Sequence, residues 1–272
     1  MYVRTRLGRW FYEERGAPKR DGDPAVVLWP SLLCDGGMWR HQLEPLAALG
    51  RVLVFDPPGH GKSEVPPVFT LEDNTDALVD ALDALRVDRA VLLGLSWGGM
   101  IGMRLALRQA SRVAALALLD TSAEAEDRGK AFKYRAFASL GRRFGLPPAL
   151  LETQVAPAMF CDRTLTHNRD RVDRFIRTVS GFPPEGTARA AMAVVIRRTS
   201  VLGQLGAIRV PTLVVCGRED RATPPVHSER LAAAIPGARL AWIEDAGHLT
   251  ALEQPEAVNA VLVPFVRAQL AG

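Results

Sequence analysis

Ser96 is the residue whose setting most invites chemistry. It occupies the centre of Gly94-Leu95-Ser96-Trp97-Gly98, a G-x-S-x-G pattern that follows the apolar strand Ala90 to Leu93 and opens a helical pattern at Trp97. A strand that turns abruptly into a helix crowds its own backbone, and glycines two before and two after the serine remove the Cβ atoms that would collide. The hydroxyl is thereby projected outward, at a helix N-terminus whose unpaired N–H groups favour developing negative charge. A serine hydroxyl is a weak nucleophile at neutral pH. Covalent catalysis here requires a base, and an acid that holds the base in the correct tautomer.

Five histidines compete for the role of base. His41 falls in the first large helical pattern and His167 in a helical stretch further on, where surface or packing roles suffice. His227 begins a helix after Pro224-Pro225, and His60 sits in Asp56-Pro57-Pro58-Gly59-His60-Gly61-Lys62-Ser63, a tight turn that gives it a structural role. His248 differs from all of these. Its loop, Glu244-Asp245-Ala246-Gly247-His248, follows the last strand and precedes the last helix, where a parallel sheet presents its carboxyl edge. For the acid, Asp220 in Cys216-Gly217-Arg218-Glu219-Asp220 also lies just past a carboxyl end, with Glu219 and Asp120 as rivals. Ser96, Asp220, His248 is the chain order associated with a nucleophile elbow, unlike the chymotrypsin and subtilisin orders.

Acyl transfer also needs donors for an oxyanion. The backbone N–H of Trp97, next after the nucleophile, is one. The loop Pro30-Ser31-Leu32-Leu33-Cys34-Asp35-Gly36-Gly37-Met38-Trp39 follows a strand and supplies the second, assigned to the N–H of Leu32. Trp97 is also expected to touch substrate, and Met100, Phe132, Phe137, Met159 and Phe160 are candidates for further apolar walls. Two features are decoys. Gly61-Lys62-Ser63 ends like a phosphate-binding loop, but that pattern requires glycine where Asp56 stands. Cys34 has no elbow and reads as a small buried hydrophobe. No His-Glu-x-x-His or paired-histidine spacing occurs, so no metal is expected.

The elements that must position these residues alternate between strand and helix, the pattern of a mostly parallel sheet with helices on its faces. Tyr2 to Arg6 and Arg9 to Glu14 flank Leu7-Gly8 as an antiparallel hairpin. Buried strands follow at Ala25 to Trp29, Arg51 to Phe55, Ala90 to Leu93, Val113 to Leu119, Thr212 to Cys216 and Arg239 to Ile243. Helical periodicity covers Met38 to Leu49, Leu71 to Leu85, Trp97 to Gln109, Val226 to Ala234 and Pro255 to Leu270. From Thr121 to about Leu205 only helical patterns punctuated by Gly and Pro are found, and this stretch reads as an inserted helical cap.

Composition closes off other classes. The 272 residues are 48% hydrophobic and 24% charged, an ordinary globular mixture long enough for one large α/β domain. The net charge of +4 comes without a Lys/Arg block, so nucleic acid is set aside as a partner. Thr121 to Gln204 carries 14 Lys and Arg against 8 Asp and Glu, which concentrates the basic charge in the insert and leaves the remainder slightly acidic. Cys34, Cys161 and Cys216 form no disulfide framework or metal-ligand pattern and fit a reducing compartment. The N-terminus is broken by charges, and the longest apolar run has seven residues where a membrane span needs about 20. The cytoplasm is the expected compartment, and no membrane partner is expected.

Taken together, these motifs resemble the α/β-hydrolase family, in particular capped members such as 3-oxoadipate enol-lactonases, haloperoxidase-like perhydrolases and small carboxylesterases. The likeness is carried by Asp56 to Ser63, by Gly94-Leu95-Ser96-Trp97-Gly98-Gly99-Met100, by Gly217-Arg218-Glu219-Asp220 with Pro224, and by Gly247-His248. It implies an eight-stranded sheet with helices on both faces, a core of residues 1–120 and 206–272, and a helical cap over 121–205. It supports Ser96, Asp220 and His248 as a triad working without a cofactor on a small ester or lactone through an acyl-enzyme. Many members carry His-Gly where this chain has Pro30-Ser31, and the enol-lactonase-like branch shares that departure. A perhydrolase or C–C hydrolase on the same triad, and a non-catalytic receptor on the same scaffold, remain alternatives. A haloalkane dehalogenase is excluded, because it needs a carboxylate at position 96.

Overall fold

Strands β1 (Tyr2–Thr5) and β2 (Gly8–Arg15) form the antiparallel hairpin read from the sequence, in a computed structural model that describes residues 1–271 apart from the side chains of Arg128, Lys130, Lys133, Phe137 and Phe144. Six further strands complete one sheet: β3 (Ala25–Trp29), β4 (Val52–Phe55), β5 (Ala90–Leu95), β6 (Val113–Leu119), β7 (Thr212–Gly217) and β8 (Arg239–Ile243). Their spatial order is β1-β2-β4-β3-β5-β6-β7-β8. The β2–β4 pairing is antiparallel and every pairing from β4 to β8 is parallel.

Every residue of β3 to β7 is buried, as the unbroken apolar runs require of strands covered on both faces. Because successive side chains alternate, Val27, Trp29, Leu53 and Phe55 join one cluster with Leu78 and Ile101, while Val26, Leu28, Val52 and Val54 join another with Trp39 and Leu262. The last strand departs from expectation. In β8 only Ile243 is buried, because the strand lies at the edge of the sheet.

Helices α1 (Leu43–Ala47), α2 (Leu71–Ala84) and α3 (Trp97–Arg108) follow β3, β4 and β5. The single helix expected over Met38 to Leu49 is instead a 3₁₀ turn, Gly36–Trp39, and the short α1, which leaves His41 in the turn between them. Pro45 explains the break, since without an N–H it fits only the first turn of a helix. The start of α2 is set by a capping box in which Thr70 accepts the Asp73 N–H and the Asp73 carboxylate accepts the Thr70 N–H, worth about 1 kcal/mol.

Between β6 and β7 the described residues form helices and no strand: α4 (Arg128–Phe144), α5 (Pro148–Leu150), α6 (Ala156–Met159), α7 (Asp162–His167), α8 (Arg169–Ser180) and α9 (Pro184–Ala191). Two π-helical stretches, Leu151–Val155 and Met192–Ile196, widen the backbone within this segment. Helices α10 (Pro225–Ala234), α11 (Thr250–Glu253) and α12 (Pro255–Leu270) complete the chain. No described helix is long and apolar enough to cross a membrane. All three cysteines are free and buried.

Candidate active site

Ser96 sits between β5 and α3 with a φ of 52°, in the left-handed region that a non-glycine residue enters at a cost of about 1–3 kcal/mol. The surrounding structure holds it there. Its N–H donates to the Leu119 carbonyl at 2.8 Å, and its own carbonyl accepts from the Thr121 hydroxyl at 2.6 Å and the Met100 N–H at 3.0 Å. A Cβ on Gly94 would lie 2.1 Å from the Gly98 carbonyl carbon, and one on Gly98 would lie 2.4 Å from the Trp29 carbonyl oxygen. Both glycines of the motif are therefore imposed by close backbone approach. Although Ser96 caps α3, its side chain makes no capping hydrogen bond and lines a cavity of about 400 Å³.

His248 lines the same cavity. Its Nδ1 lies 3.0 Å from both oxygens of Asp220, and both residues are buried. Asp220 is fixed in turn: Oδ1 accepts the N–H groups of Ala222 and Thr223 at 2.9 Å each, and Oδ2 accepts the Thr223 hydroxyl at 2.8 Å. Burial pulls the His248 imidazole down, yet the charge and hydrogen bond of Asp220, with Asp120 and Glu253 acting in the same direction, leave it above its ordinary value. Among the described residues no hydrogen bond joins Ser96 to His248; the structure brings His248 and Asp220 into contact and sets Ser96 on the wall of the same cavity. Glu219, the rival one position away, makes no contact with the imidazole among the described hydrogen bonds, and its N–H donates to the Ala246 carbonyl. Asp120 lies close by but is committed elsewhere, accepting from the Gly217 N–H and the Thr250 hydroxyl. Burial and the charge of Asp220 push it well above the usual carboxylate range.

The loop after β3 also reaches this cavity through Ser31, Leu32 and Leu33. Among the described residues no hydrogen bond from the N–H groups of Leu32 or Trp97 to a protein acceptor is found. Leu33 adopts a φ of 63°, and its N–H donates to Nε2 of the buried His60 at 3.3 Å, while Nδ1 of that ring donates to the Pro58 carbonyl at 3.2 Å. Burial holds His60 down to about 4, so the ring stays neutral and able to accept. Through these two bonds the buried His60 ring braces the loop that carries Leu32.

Met100 and Met159 line the cavity as expected. Three other expected walls do not. The Trp97 indole is fully buried against Trp29, His60 and Phe69 and is absent from the cavity lining, because a side chain at the first position of α3 points back onto the sheet. Phe132 is 77% exposed, and Phe160 packs edge-on to Phe175 of α8. Phe137 lies outside the described residues. The remaining wall is mostly apolar and draws Val155, Val194 and Val195 from the two π-helical stretches. A charged pair interrupts it: Arg198, 6% exposed, bonds Glu126 at 3.3 Å, and its Nε has no partner among the described residues.

Two residues that matter here were not singled out in the sequence. Thr223 links Asp220 and His248, with its hydroxyl 3.3 Å from Nδ1. Glu253, 2% exposed, accepts the Gly247 N–H at 2.8 Å and the Cys161 N–H at 2.9 Å, tying the His248 loop to the helical segment. Its only sequence signal is an acid in an otherwise apolar turn, Thr250-Ala251-Leu252-Glu253. Asp120, Cys216 and Asp220 place ligand-type atoms within 4.8 Å of one another, but the set does not suit a metal ion. Both carboxylates are engaged by hydrogen-bond donors, and burial pushes the Cys216 thiol up to about 12, which keeps it protonated.

Residues 24–255 match the family model for the alpha/beta hydrolase fold. The 3-oxoadipate enol-lactonase 1 of Acinetobacter baylyi is 30% identical over 98% of this chain and 97% of its own. Among solved structures, a thermophilic esterase from Thermogutta terrifontis matches with a TM-score of 0.91 at 30% identity, covering 99% of each chain. The enol-lactonase from Burkholderia xenovorans LB400 matches with a TM-score of 0.89 at 30% identity, over 98% of this chain and 99% of its own. The chain belongs to the α/β-hydrolase fold family.

Proposed function

We propose that this chain is a serine hydrolase that cleaves a small carboxylic ester or lactone through an acyl-enzyme. The observation that carries the reading is Asp220 holding Nδ1 of His248 at 3.0 Å, which leaves Nε2 to serve Ser96 on the wall of the same cavity. In this mechanism His248 takes the Ser96 proton as the serine attacks the carbonyl, and the N–H groups of Trp97 and Leu32 receive the oxyanion. The imidazolium, stabilised by Asp220, then protonates the leaving alkoxide. Water activated by the same ring releases the acid. Residues 1–120 and 206–272 supply this machinery, and residues 121–205 act as a cap whose inner face bounds the substrate.

Relatives named for enol-lactone and ester substrates support the bond class, as does a largely apolar cavity of about 400 Å³, which suits a small molecule. The chemistry assigned to the triad needs neither cofactor nor metal, so turnover is expected to survive a chelator. A panel of p-nitrophenyl esters and lactones tests the reading. Burst release of p-nitrophenol in the parent, abolished by Ser96→Ala, is the expected result. Binding without turnover across the panel would favour a receptor on the same scaffold, and turnover only with peroxide would favour a perhydrolase.

A further inference from the structure

A second cavity, of about 310 Å³, lies between the loop after β3 and helix α8, and of its lining only Leu33 also borders the cavity that holds Ser96. Three arginines line it: Arg40 from the turn after β3, Arg171 and Arg174 from α8. The one acid on its wall, Asp35, turns an oxygen to the Gly37 N–H. Among the described residues none of the three arginines is paired with a carboxylate. Arg171 donates to the backbone carbonyl of Glu253, and Arg40 to that of Gly37 at 3.4 Å. On the same helix Arg169 is matched by Glu152 and Asp173, so acids are at hand but are not spent on the cleft.

The field there is accordingly positive. Burial, then Arg174 and Arg171, hold Arg40 below the usual arginine range despite Asp35, and His41 is lowered by burial and by the same arginines despite Glu256. This cleft is also where part of the basic surplus of the helical insert is gathered. Three cations converging with one anion are mutually repulsive unless a further anion neutralises them. Two positive charges remain after Asp35 is counted, which matches a dianion. One planar fork suffices for a carboxylate, whereas three arginines, one from the turn after β3 and two from α8, offer enough donors for the several oxygens of phosphate. Met38, Phe175 and Leu252 leave an apolar floor large enough for an organic group beyond the phosphate.

We propose that this cleft binds phosphate, as the free ion or as a monoester. The site is independent of the role given to Ser96. Isothermal titration of inorganic phosphate into the full chain at constant low ionic strength tests it, because salt would screen so open a site. One phosphate per chain is expected. Arg40→Gln and Arg174→Gln should each weaken binding about tenfold through loss of one charge-assisted contact. Arg177→Gln, an exposed position of the same helix outside the cleft, should leave it unchanged, and so should Ser96→Ala. Arg174 is exposed, so its variant remains informative if the half-buried Arg40 position proves intolerant. Tighter binding of phenyl phosphate than of inorganic phosphate assigns the site to a monoester, and equal binding assigns it to the free ion. No saturable heat in the parent, or the same loss in Arg177→Gln as in Arg174→Gln, overturns the proposal.

Discussion

Replacing Asp220 with asparagine changes one atom and should disable the base by inverting its tautomer. Two backbone N–H groups, from Ala222 and Thr223, point at Oδ1 at 2.9 Å, so the amide oxygen of Asp220→Asn must occupy that position. The NH₂ group then falls at Oδ2, facing His248 Nδ1 at 3.0 Å and the Thr223 hydroxyl at 2.8 Å. The hydroxyl can reverse and accept. Nδ1 lies 3.0 Å from both positions, and pairing with the NH₂ requires it to accept, which moves its proton to Nε2, the nitrogen that must receive the proton of Ser96. A wrong-tautomer substitution of this kind costs serine hydrolases about 10⁴ in kcat, or about 5.4 kcal/mol in the barrier. Because every backbone donor keeps its acceptor, the melting temperature should change little. Steady-state kinetics on a p-nitrophenyl ester, with thermal melts as the fold control, measure both. A folded variant within tenfold of the parent would refute the assignment of Asp220 and return Asp120 to consideration.

The neutral imidazole of His248 is the active form of the base and its folded value is raised, so kcat/KM should climb with pH through an acid limb centred above 6.5. A limb at or below 6.5 would contradict the environment described. Gly94→Ala places a Cβ 2.1 Å from the backbone of Gly98, where no flexible side chain can give way. Destabilisation of more than about 2 kcal/mol, read from urea melts, is expected, and a change within 0.5 kcal/mol would show that the elbow is looser than its hydrogen bonds indicate.

Much of this molecule is legible in its sequence because the governing interactions are short in range. The strand-to-helix turn at Ser96 needs small residues within two positions, and the carboxyl ends of β7 and β8 announce themselves through apolar runs that stop before Asp220 and His248. The misreadings arise where direction or distant contact decides. Trp97 is adjacent to Ser96 in sequence, yet the Cα–Cβ geometry of a helix start turns its indole into the sheet, while Met100, one turn on, reaches the cavity. The inward faces of the helical segment depend on where it docks, and its two π-helical stretches shift the periodicity by which a face would be chosen. Glu253 contacts Cys161 across 92 residues, a pairing that no local pattern encodes.

That long-range contact bears on how the site is assembled. Gly247 and His248 are held on two sides, by the Glu253 carboxylate and by the Met159 carbonyl, which accepts the His248 N–H at 3.1 Å. A Cβ on Gly247 would meet the Cys161 nitrogen at 2.7 Å, so the loop and the helical segment touch backbone to backbone. Burial pushes Glu253 above its ordinary value, while the N–H groups of Cys161 and Gly247 favour its charged form. The His248 ring and its loop are therefore positioned jointly by Asp220, at the end of β7, and by the segment that bounds the cavity, through Met159 and Cys161. Sequence changes in that segment that move Met159 or Cys161 should therefore reach the imidazole through the Met159 carbonyl and the Glu253 carboxylate.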